Sequence, residues 1–461
     1  MGLLIKRILA AVLLVAVIFG FRYCWTSFPI ATGFGAKILC SSVCVAGRNE
    51  DDIKAQELRY LPLNLITHKL NYNDSFVTTS LLGFAKRKAI YRKGLGATLI
   101  SELPEEEVRN QKIILVLLPV VQQDSVLWPL GDQLPDSIQP GINLIQLRDA
   151  VNKAFESADV ENPIGTRAVV VVYDGKLVAE KYAPGFTKDT RLNGWSMTKS
   201  ITNALIGILV KENKLDIDAP APVSEWQKEN DPRSAITTKH LLQQTSGLDF
   251  EEDYSKSSDA TRMLFQKGDM AAYVASRPLK DKPGQLFYYS SGNSNILSRM
   301  IREIVGEPDY HAFPYRELFH KLGMYSAILE PDASGTFVGS SYSYATARDW
   351  ARFGLLYIND GVYNKERILP EGWVKQTTTP SPAAKKGEYG FQFWLNRGKL
   401  NNSSGKAFTG VPPDMFYAGG FEGQNVFIVP SKKLVVVRLG LTRNKTYDAN
   451  VFLSDIIKAV D

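Results

Sequence analysis

A serine and a lysine three residues apart, Ser196 and Lys199, stand at the start of a long periodic apolar segment. The apolar residues that follow, at 201, 204, 205, 208 and 209, recur at the spacing of a helix that buries one face. Residues three apart share a helix face, so the lysine amine points toward the serine hydroxyl. An amine held at the buried, partly positive start of a helix loses proton affinity and can accept a serine proton. The pattern predicts a serine nucleophile with a lysine base.

The spacing by itself is not specific. Ser403 and Lys406 repeat it inside a segment typical of a flexible loop, with no helix to align the pair. Most such pairs are a helix-capping serine and a surface lysine, and this alternative stays open for Ser196. The helical context favours Ser196 as the nucleophile.

Other catalytic schemes have less support in the sequence. There is no G-x-S-x-G motif, and a Ser-His-Asp triad would have to use one of four histidines: His68, His240, His311 and His320. No H-E-x-x-H motif or paired His/Cys spacing suggests a metal site. We therefore predict no metal and no organic cofactor.

The N-terminus resembles an export signal. Lys6 and Arg7 precede the apolar residues 8–21, and the first small-x-small cleavage candidate, at residues 31–33, lies well beyond them. We predict that residues 1–23 are a signal anchor, with a cleaved signal peptide as the alternative, and that the rest faces the periplasm from the inner membrane. The three cysteines, Cys24, Cys40 and Cys44, all fall in the N-terminal part, so the remainder carries no disulfide.

The remaining composition separates the chain into two regions. A formal charge of +6 over 461 residues, with no basic stripe, argues against nucleic acid as a partner. Residues 24–140 have no clear class: residues 75–82 and 112–121 are strand-like, and a basic cluster at 86–93 favours a solvated face, with anionic lipid headgroups as the alternative contact. Proline and glycine residues at 129–141 predict a domain boundary near residue 140.

Beyond that boundary, the two ends of the chain mirror each other. A helix at 145–158 and a hairpin at 168–182 have counterparts in a hairpin at 425–439 and a helix at 451–460. The fold class we predict for 141–461 is α+β: an antiparallel sheet formed from both ends of the domain, flanked by helices, with a helical subdomain between.

Several motifs in one order resemble the serine β-lactamase and penicillin-binding-protein superfamily, in its class C-like branch. They are SMTK (196–199), ITTKHLLQQTSGL (236–248), PGQLFYYSSG (283–292), LGM (322–324), ATARD (345–349) and GFEGQ (420–424). The resemblance implies the β-lactamase/transpeptidase-like fold over 141–461. It also implies that Ser196 is acylated, that Lys199 is its base, and that Tyr289 helps to protonate the leaving group.

Two departures from the superfamily pattern bear on the substrate. Tyr-x-Asn becomes Tyr289-Ser290-Ser291, and the edge-strand Lys-Thr-Gly or His-x-Gly becomes Ala418-Gly419-Gly420. The first change removes an amide that would hold a substrate amide, and the second removes a cation that would hold a substrate carboxylate. This pattern resembles 6-aminohexanoate-dimer hydrolases and carboxylesterases. We therefore expect a small-molecule substrate, a linear amide or an ester.

The resemblance also assigns an oxyanion and substrate-binding set. The glycines permit close approach of the strand, so the backbone N–H groups of Phe421 and Ser196 would form the oxyanion hole. The set is Ser196, Phe421, Ser291, Gly419, Gly420 and Gln424, with Gln424 either orienting substrate or holding a loop. Alternative functions are a D-alanyl-D-alanine peptidase or β-lactamase, and an inactive binding scaffold.

Overall fold

The computed structural model describes residues 2–116, 121–134, 141–157, 159, 162–398, 405–443 and 446–460. The α-helices are α1 (Gly2–Cys44), α2 (Glu50–Gln56), α3 (Glu105–Arg109), α4 (Leu144–Lys153), α5 (Thr198–Lys211), α6 (Thr238–Leu242), α7 (Asp259–Gln266), α8 (Met270–Ala275), α9 (Ser291–Val305), α10 (Glu307–Tyr310), α11 (Ala347–Ile358), α12 (Trp373–Thr377) and α13 (Ala449–Ala459). The strands are β1 (Ile66–Asn71), β2 (Phe76–Leu81), β3 (Phe84–Arg92), β4 (Gly96–Ile100), β5 (Thr166–Tyr173), β6 (Lys176–Tyr182), β7 (Leu192–Asn193), β8 (Ile328–Leu329), β9 (Ser343–Ala345), β10 (Val362–Tyr363), β11 (Glu366–Arg367), β12 (Trp394–Leu395), β13 (Phe416–Gly420), β14 (Gln424–Val429) and β15 (Leu434–Gly440).

The chain forms two compact units. The smaller contains residues 1–110, 251–269 and 332–334, and the larger contains residues 111–250, 270–331 and 335–461. The predicted boundary near residue 140 stays a prediction. The smaller unit also takes in two segments from far along the chain.

A six-stranded antiparallel sheet organises the larger unit, in the order β12-β13-β14-β15-β5-β6. Its strands come from both ends of this unit, as the sequence predicts. Helices α4 and α13 pack together on one face, over Val169, Val171 and Val436. Helix α11 covers the other face, where Gly354 lies against Val435. Because both faces are covered, β5 and β15 are almost continuously apolar and buried.

Local sequence signals account for both terminal hairpins. Asp174 and Gly175 adopt positive φ angles of 47° and 76° between β5 and β6, which suits a tight two-residue turn. The predicted hairpin at 425–439 is confirmed as β14 and β15, and the closing helix as α13. The predicted helix at 145–158 is also present, as α4, but it ends at Lys153.

The segment between β6 and β12 holds α5–α12 together with a small three-stranded sheet, β7-β9-β8, and the β10-β11 pair. Helices α5 and α9 pack against each other, and their facing residues are buried almost without interruption. Lys199 lies on α5, Ser196 lies in the turn that leads into α5, and α9 begins at Ser291, in the tyrosine motif. The packing of the two helices therefore sets the geometry of the site.

The smaller unit is a four-stranded antiparallel meander, β1-β2-β3-β4, with the second half of α1 on one face. Helix α7 packs on α1: a Cβ on Gly33 would stand 2.7 Å from the Phe265 carbonyl oxygen, and the rings of Phe34 and Phe265 meet at 5.6 Å. The predicted strand at 75–82 is confirmed as β2. The predicted strand at 112–121 is wrong over 112–116, which form no regular structure, and 117–120 lie outside the described residues.

Candidate active site

Ser196 lies in a tight turn that leads into α5. Residues Trp195–Met197 form a 3-10 turn, and regular helix begins at Thr198, two residues after the predicted start. Trp195 has a positive φ of 47°, an uncommon conformation for a tryptophan. Its N–H donates to Asn193 Oδ1 at 2.8 Å, and its carbonyl oxygen accepts from Thr198 Oγ1 at 2.6 Å. The turn is therefore fixed from both sides, with the Ser196 side chain half-buried.

Lys199 lies in the first turn of α5 and is almost fully buried, at 1 % exposure. Its Nζ is 3.0 Å from Ser196 Oγ, 3.1 Å from Ser291 Oγ and 2.9 Å from the carbonyl oxygen of Ser340. The predicted serine and lysine pair is brought together in the folded chain. Ser291, assigned to the substrate-binding set from the sequence, lies beside the amine.

These three oxygens can accept from all three N–H groups of a lysine ammonium, and they also suit an uncharged amine that donates to two of them and accepts from the third. The Ser340 carbonyl oxygen can only accept, so it takes one N–H, and Ser291 Oγ can accept the second. The lone pair of the nitrogen is then left for the hydroxyl proton of Ser196. With this arrangement, the serine can lose its proton to Lys199 over a 3.0 Å contact.

Tyr289 lies immediately before α9, with its ring beside the amine. Lys199 Nζ is 4.9 Å from the ring centroid. The ring stacks on Trp394 at 5.3 Å and meets Tyr389 edge-on at 5.9 Å, so its orientation is fixed by packing. The neighbouring Tyr288, by contrast, is 46 % exposed. Of the three aromatic residues in the motif, Tyr289 is the one whose ring the fold brings to the lysine.

The end of β13 runs against the serine turn. A Cβ on Gly420 would overlap the carbonyl oxygen of Gly194, and one on Gly419 would lie 3.2 Å from the Trp394 ring. The rings of Phe421 and Trp195 meet edge-on at 5.6 Å. The Phe421 backbone is thereby held beside the turn that carries Ser196.

Gln424 supports the turn that follows Phe421. Its amide Nε2 donates to the carbonyl oxygens of Phe421 at 3.0 Å and Gly440 at 2.6 Å, and its Oε1 accepts from the Gly440 N–H at 2.9 Å. The side chain is buried. Of the two roles considered from the sequence, these bonds fit the holding of a loop.

Asn295, Gln244 and Ser200 hold the site through side-chain hydrogen bonds and were not assigned a role from the sequence. Asn295 Oδ1 accepts from the Ser340 N–H at 3.1 Å and so fixes the carbonyl that faces Lys199. Gln244 Oε1 accepts from the Ser290 N–H at 3.1 Å and from Asn293 at 2.8 Å, which ties the start of α9 in place. Ser200 Oγ donates to the Gln392 carbonyl oxygen at 2.8 Å. Gln244 falls inside a matched motif, whereas Ser340 and Gln392 have no sequence signal.

In the larger unit, His240 and His311 make structural hydrogen bonds, and His320 packs against an aromatic ring. His240 Nδ1 accepts from the Thr237 N–H at 3.1 Å, which completes a capping box at α6. Burial, followed by the charge of Lys239, lowers the pKa of His240. The His311 ring bonds the Gly335 carbonyl oxygen at 2.8 Å, and His320 packs against Tyr325.

In the smaller unit, His68 faces Glu50 at 3.6 Å. Ser403, which begins the second Ser-x-x-Lys, lies outside the described residues. Across the described part of the chain, no group of three or more His, Cys, Asp or Glu side chains is arranged to hold a metal ion.

Comparison with known proteins agrees with this geometry. The Beta-lactamase family model matches residues 151–450. A 6-aminohexanoate-dimer hydrolase from Paenarthrobacter ureafaciens is 26 % identical over 298 residues, which are 59 % of this chain and 72 % of the relative.

Two solved structures share the fold. One, from Bacillus anthracis and described as a 6-aminohexanoate-dimer hydrolase, is 22 % identical with a TM-score of 0.55, and the match covers 71 % of this chain and 86 % of that one. The other, a family VIII carboxylesterase, is 16 % identical with a TM-score of 0.55, and covers 71 % and 99 %.

Proposed function

Because this chain belongs to the Beta-lactamase family, we propose that it is a serine hydrolase that cleaves small linear amides or carboxylic esters through an acyl-enzyme on Ser196. The family supports an enzyme with hydrolase chemistry. The observation that carries the finer proposal is the contact between Lys199 Nζ and Ser196 Oγ, with two further oxygens occupying the other sides of the amine.

In the first step, Ser196 Oγ attacks the substrate carbonyl while its proton passes to Lys199. The carbonyl oxygen becomes an oxyanion, for which the N–H groups of Ser196 and Phe421 are the proposed donors. Collapse of this intermediate breaks the bond to the amine or alcohol. The leaving group takes up a proton from the Lys199 ammonium, and Tyr289, whose ring lies 4.9 Å from Lys199 Nζ, is the proposed relay.

In the second step, water attacks the acyl-enzyme ester. Lys199, now uncharged, accepts a proton from that water, and the oxyanion forms at the same position. When the ester bond breaks, Ser196 Oγ recovers a proton and the acid is released. The sum is hydrolysis of one amide or ester bond by one water molecule, and side chains of the protein carry the proton transfers.

The surroundings of Ser196 support an uncharged acyl group. Strand β13, which pairs with the short β12 and is therefore not the edge strand expected from the sequence, offers Ala418, Gly419 and Gly420 where the superfamily pattern has a lysine. It provides no side-chain cation for a carboxylate. Aromatic rings flank the turn instead: Trp195 meets Phe421, which is 52 % exposed. The 6-aminohexanoate-dimer hydrolase relative is named for a linear amide substrate, and we extend that substrate class to this chain.

A location outside the cytoplasm is also part of the proposal. The chain has one long apolar helix near its N-terminus, long enough to cross a membrane. We propose that residues 1–23 anchor the protein in the inner membrane, that the basic residues Lys6 and Arg7 stay on the cytoplasmic side, and that the catalytic unit faces the periplasm.

The test is a panel of p-nitrophenyl esters, linear amides and β-lactams, run on the wild type and Ser196→Ala in parallel. We expect ester or amide turnover in the wild type, a loss of at least about a thousandfold in Ser196→Ala, and labelling of Ser196 by a fluorophosphonate probe. Ser403→Ala, in the other Ser-x-x-Lys, is the matched control and should keep full turnover.

Three results would contradict the proposal. Turnover retained in Ser196→Ala would remove this serine from the mechanism. A wild type that neither turns over any substrate nor takes up the probe would indicate a binding scaffold. Stable labelling by a fluorescent penicillin, without ester or amide turnover, would indicate a penicillin-binding enzyme.

A further inference from the structure

Helix α1 has two halves with opposite environments. Large apolar side chains are exposed from Leu4 to Trp25, which is 72 % exposed, whereas Ala36, Leu39 and Cys40 are at most 1 % exposed. The second half packs on the β1–β4 sheet within the smaller unit. One continuous helix therefore leads from a membrane-compatible segment directly into the core of this unit.

The turn between β2 and β3 carries two further exposed apolar side chains. Leu82 is 64 % exposed and Phe84 is 70 % exposed, on either side of Gly83. This turn is fixed to α1: Thr32 Oγ1 donates to the Ala85 carbonyl oxygen at 2.7 Å, and Thr79 Oγ1 donates to the Thr32 carbonyl oxygen at 2.7 Å. Thr32 is seven residues from Trp25, which is about 10 Å along a helix.

The sheet face opposite α1 is basic. Along β3, Phe84, Lys86 and Lys88 alternate onto this face, and Lys88 pairs with Thr78 of β2, next to Lys69 of β1. A cavity of about 630 Å³ lies here, and its lining includes three lysines, Lys69, Lys86 and Lys88, the hydroxyl side chains of Thr67, Thr78 and Ser80, and the apolar side chains of Phe76 and Ile100.

The lysines that line this cavity differ in whether an acidic side chain neutralises them. Lys88 pairs with Glu105 at 2.6 Å. Lys69 and Lys86 make no ion pair within the described ranges. Two ammonium groups with hydroxyl donors between them suit a singly charged phosphodiester, since each group on the cavity wall can donate to a phosphate oxygen.

We propose that the smaller unit seats on an anionic phospholipid surface: Leu82 and Phe84 enter the interface, and the cavity between Lys69 and Lys86 holds a lipid headgroup phosphate. A membrane is favoured as the occupant because the apolar turn is bonded to the same helix whose exposed half is apolar. The inference rests on the proposed insertion of α1, and it is independent of the chemistry at Ser196.

Hydrogen exchange of the full chain in lipid nanodiscs tests this proposed contact with anionic lipid. Discs of phosphatidylcholine are compared with discs of equal parts phosphatidylcholine and phosphatidylglycerol. In anionic discs, the amides of 82–88 should exchange at least about tenfold more slowly than in neutral discs, the change expected from two basic side chains at an anionic surface. High salt should abolish the difference, and amides of 71–76, at the other end of the sheet, should not respond.

Variants test the contributions of the cavity lysines and of the apolar turn separately. Lys69→Gln with Lys86→Gln should abolish the response to anionic lipid, and Leu82→Ser with Phe84→Ser should raise exchange in both disc types. The matched control is Tyr72→Ser with Lys93→Gln, an exposed aromatic and an exposed lysine at the opposite end of the sheet, which should behave as the wild type.

The proposed lipid contact is wrong if the amides of 82–88 exchange at the same rate in both disc types. It is also wrong if the amides of 71–76 slow as much in anionic discs as those of 82–88. Ester turnover is measured on the same discs. Loss of the exchange response to anionic lipid, with intact turnover, would contradict the proposed lipid contact but not the proposed hydrolase activity. Release of the chain from discs by alkaline carbonate would contradict the proposed membrane insertion of α1.

Discussion

At the residue scale, the environment of one amine determines what this chain can do. Lys199 Nζ lies within 3.1 Å of the Ser196 hydroxyl, the Ser291 hydroxyl and the Ser340 carbonyl oxygen, and in the proposed reaction Ser196 gives up a proton to it. Ser291 takes the position where the superfamily pattern has an asparagine, and its short side chain contacts the lysine. A substitution that looks like a lost substrate contact in the sequence is thus a change in the surroundings of the proposed base.

Gly420→Ala tests the contact between β13 and the serine turn. A Cβ at this position overlaps the Gly194 carbonyl oxygen, so the strand or the turn must shift. A shift near 1 Å at a reacting centre costs about a hundredfold in rate, so we expect kcat/KM to fall by about that factor while the fold, followed by circular dichroism, is kept.

Gly20→Ala is the matched control, because nothing lies within 4 Å of a Cβ there. Its kcat/KM should equal that of the wild type. Full activity in Gly420→Ala would show that close approach of the strand to the turn is not needed for catalysis.

The sequence predicted Ser196, Lys199 and Tyr289 because a helical pattern and ordered motifs surround them, and the structure brings Lys199 to both the serine and the tyrosine. Their catalytic roles stay predictions. The Ser340 carbonyl could not be anticipated, because any residue type has one and only the fold places it at 2.9 Å from the amine.

At the element scale, helix ends show how local signals turn into structure. The motif 236–248 begins α6 with a capping box, in which Thr237 Oγ1 accepts from the His240 N–H at 3.2 Å and His240 Nδ1 accepts from the Thr237 N–H at 3.1 Å. The second bond requires an unprotonated Nδ1. Helix α6 therefore depends on the charge state of one histidine.

We predict that this cap makes the larger unit less stable in acid. Burial, and then the charge of Lys239, lowers the pKa of His240, so the unfolded chain binds the proton more readily. The stabilisation is present above the ordinary histidine pKa and is lost as the pH falls through the lowered value in the folded protein. The loss of one capping bond costs about 1 kcal/mol.

His240→Gln is the variant that checks it, since a glutamine at this position can make the same bond without titrating. Urea unfolding, followed by tryptophan fluorescence at pH 7.5 and 5.5, should show a drop in the unfolding free energy between the two pH values that is about 1 kcal/mol smaller in the variant. Equal drops in both proteins would show that the cap does not titrate in this range.

The sequence predicted the strands of the two terminal hairpins of the larger unit because turn residues and apolar runs are local signals. Asp-Gly turns set the β5–β6 hairpin, and continuous valine runs mark strands covered on both faces. One local prediction in the larger unit failed, because the strand expected at 112–121 rested on apolar content alone. The packing of the smaller unit was not predicted at all: Ala333 joins Ile90 in its core and Phe265 packs on α1, and both come from segments far along the chain. No local pattern carries that information.

At the scale of the whole molecule, α1 serves two roles that its uniform apolar sequence conceals. Deletion of residues 2–22 removes side chains that are exposed throughout the described range 4–22, whereas deletion of 2–44 removes the helix that covers the β1–β4 sheet. The first deletion should give a chain that stays in the supernatant without detergent and keeps ester turnover within about twofold. The second should aggregate, because the sheet face it exposes is apolar.

Sedimentation and turnover of both deletions measure this. A soluble 2–44 deletion with a protected β1–β4 sheet in hydrogen exchange would show that the buried half of α1 is dispensable. Sedimentation of the 2–22 deletion would place membrane affinity elsewhere in the chain, outside the apolar helix.

The discontinuous smaller unit has a consequence for biogenesis. Its helix and sheet leave the ribosome first, yet Phe265 and Ala333, which complete its packing, are synthesised more than 150 residues after β4 ends at Ile100. Until then the nascent chain carries an uncovered apolar surface. Such late closure makes the newly made protein a client for holding chaperones, and its yield in a cell should depend on them more than its finished stability suggests.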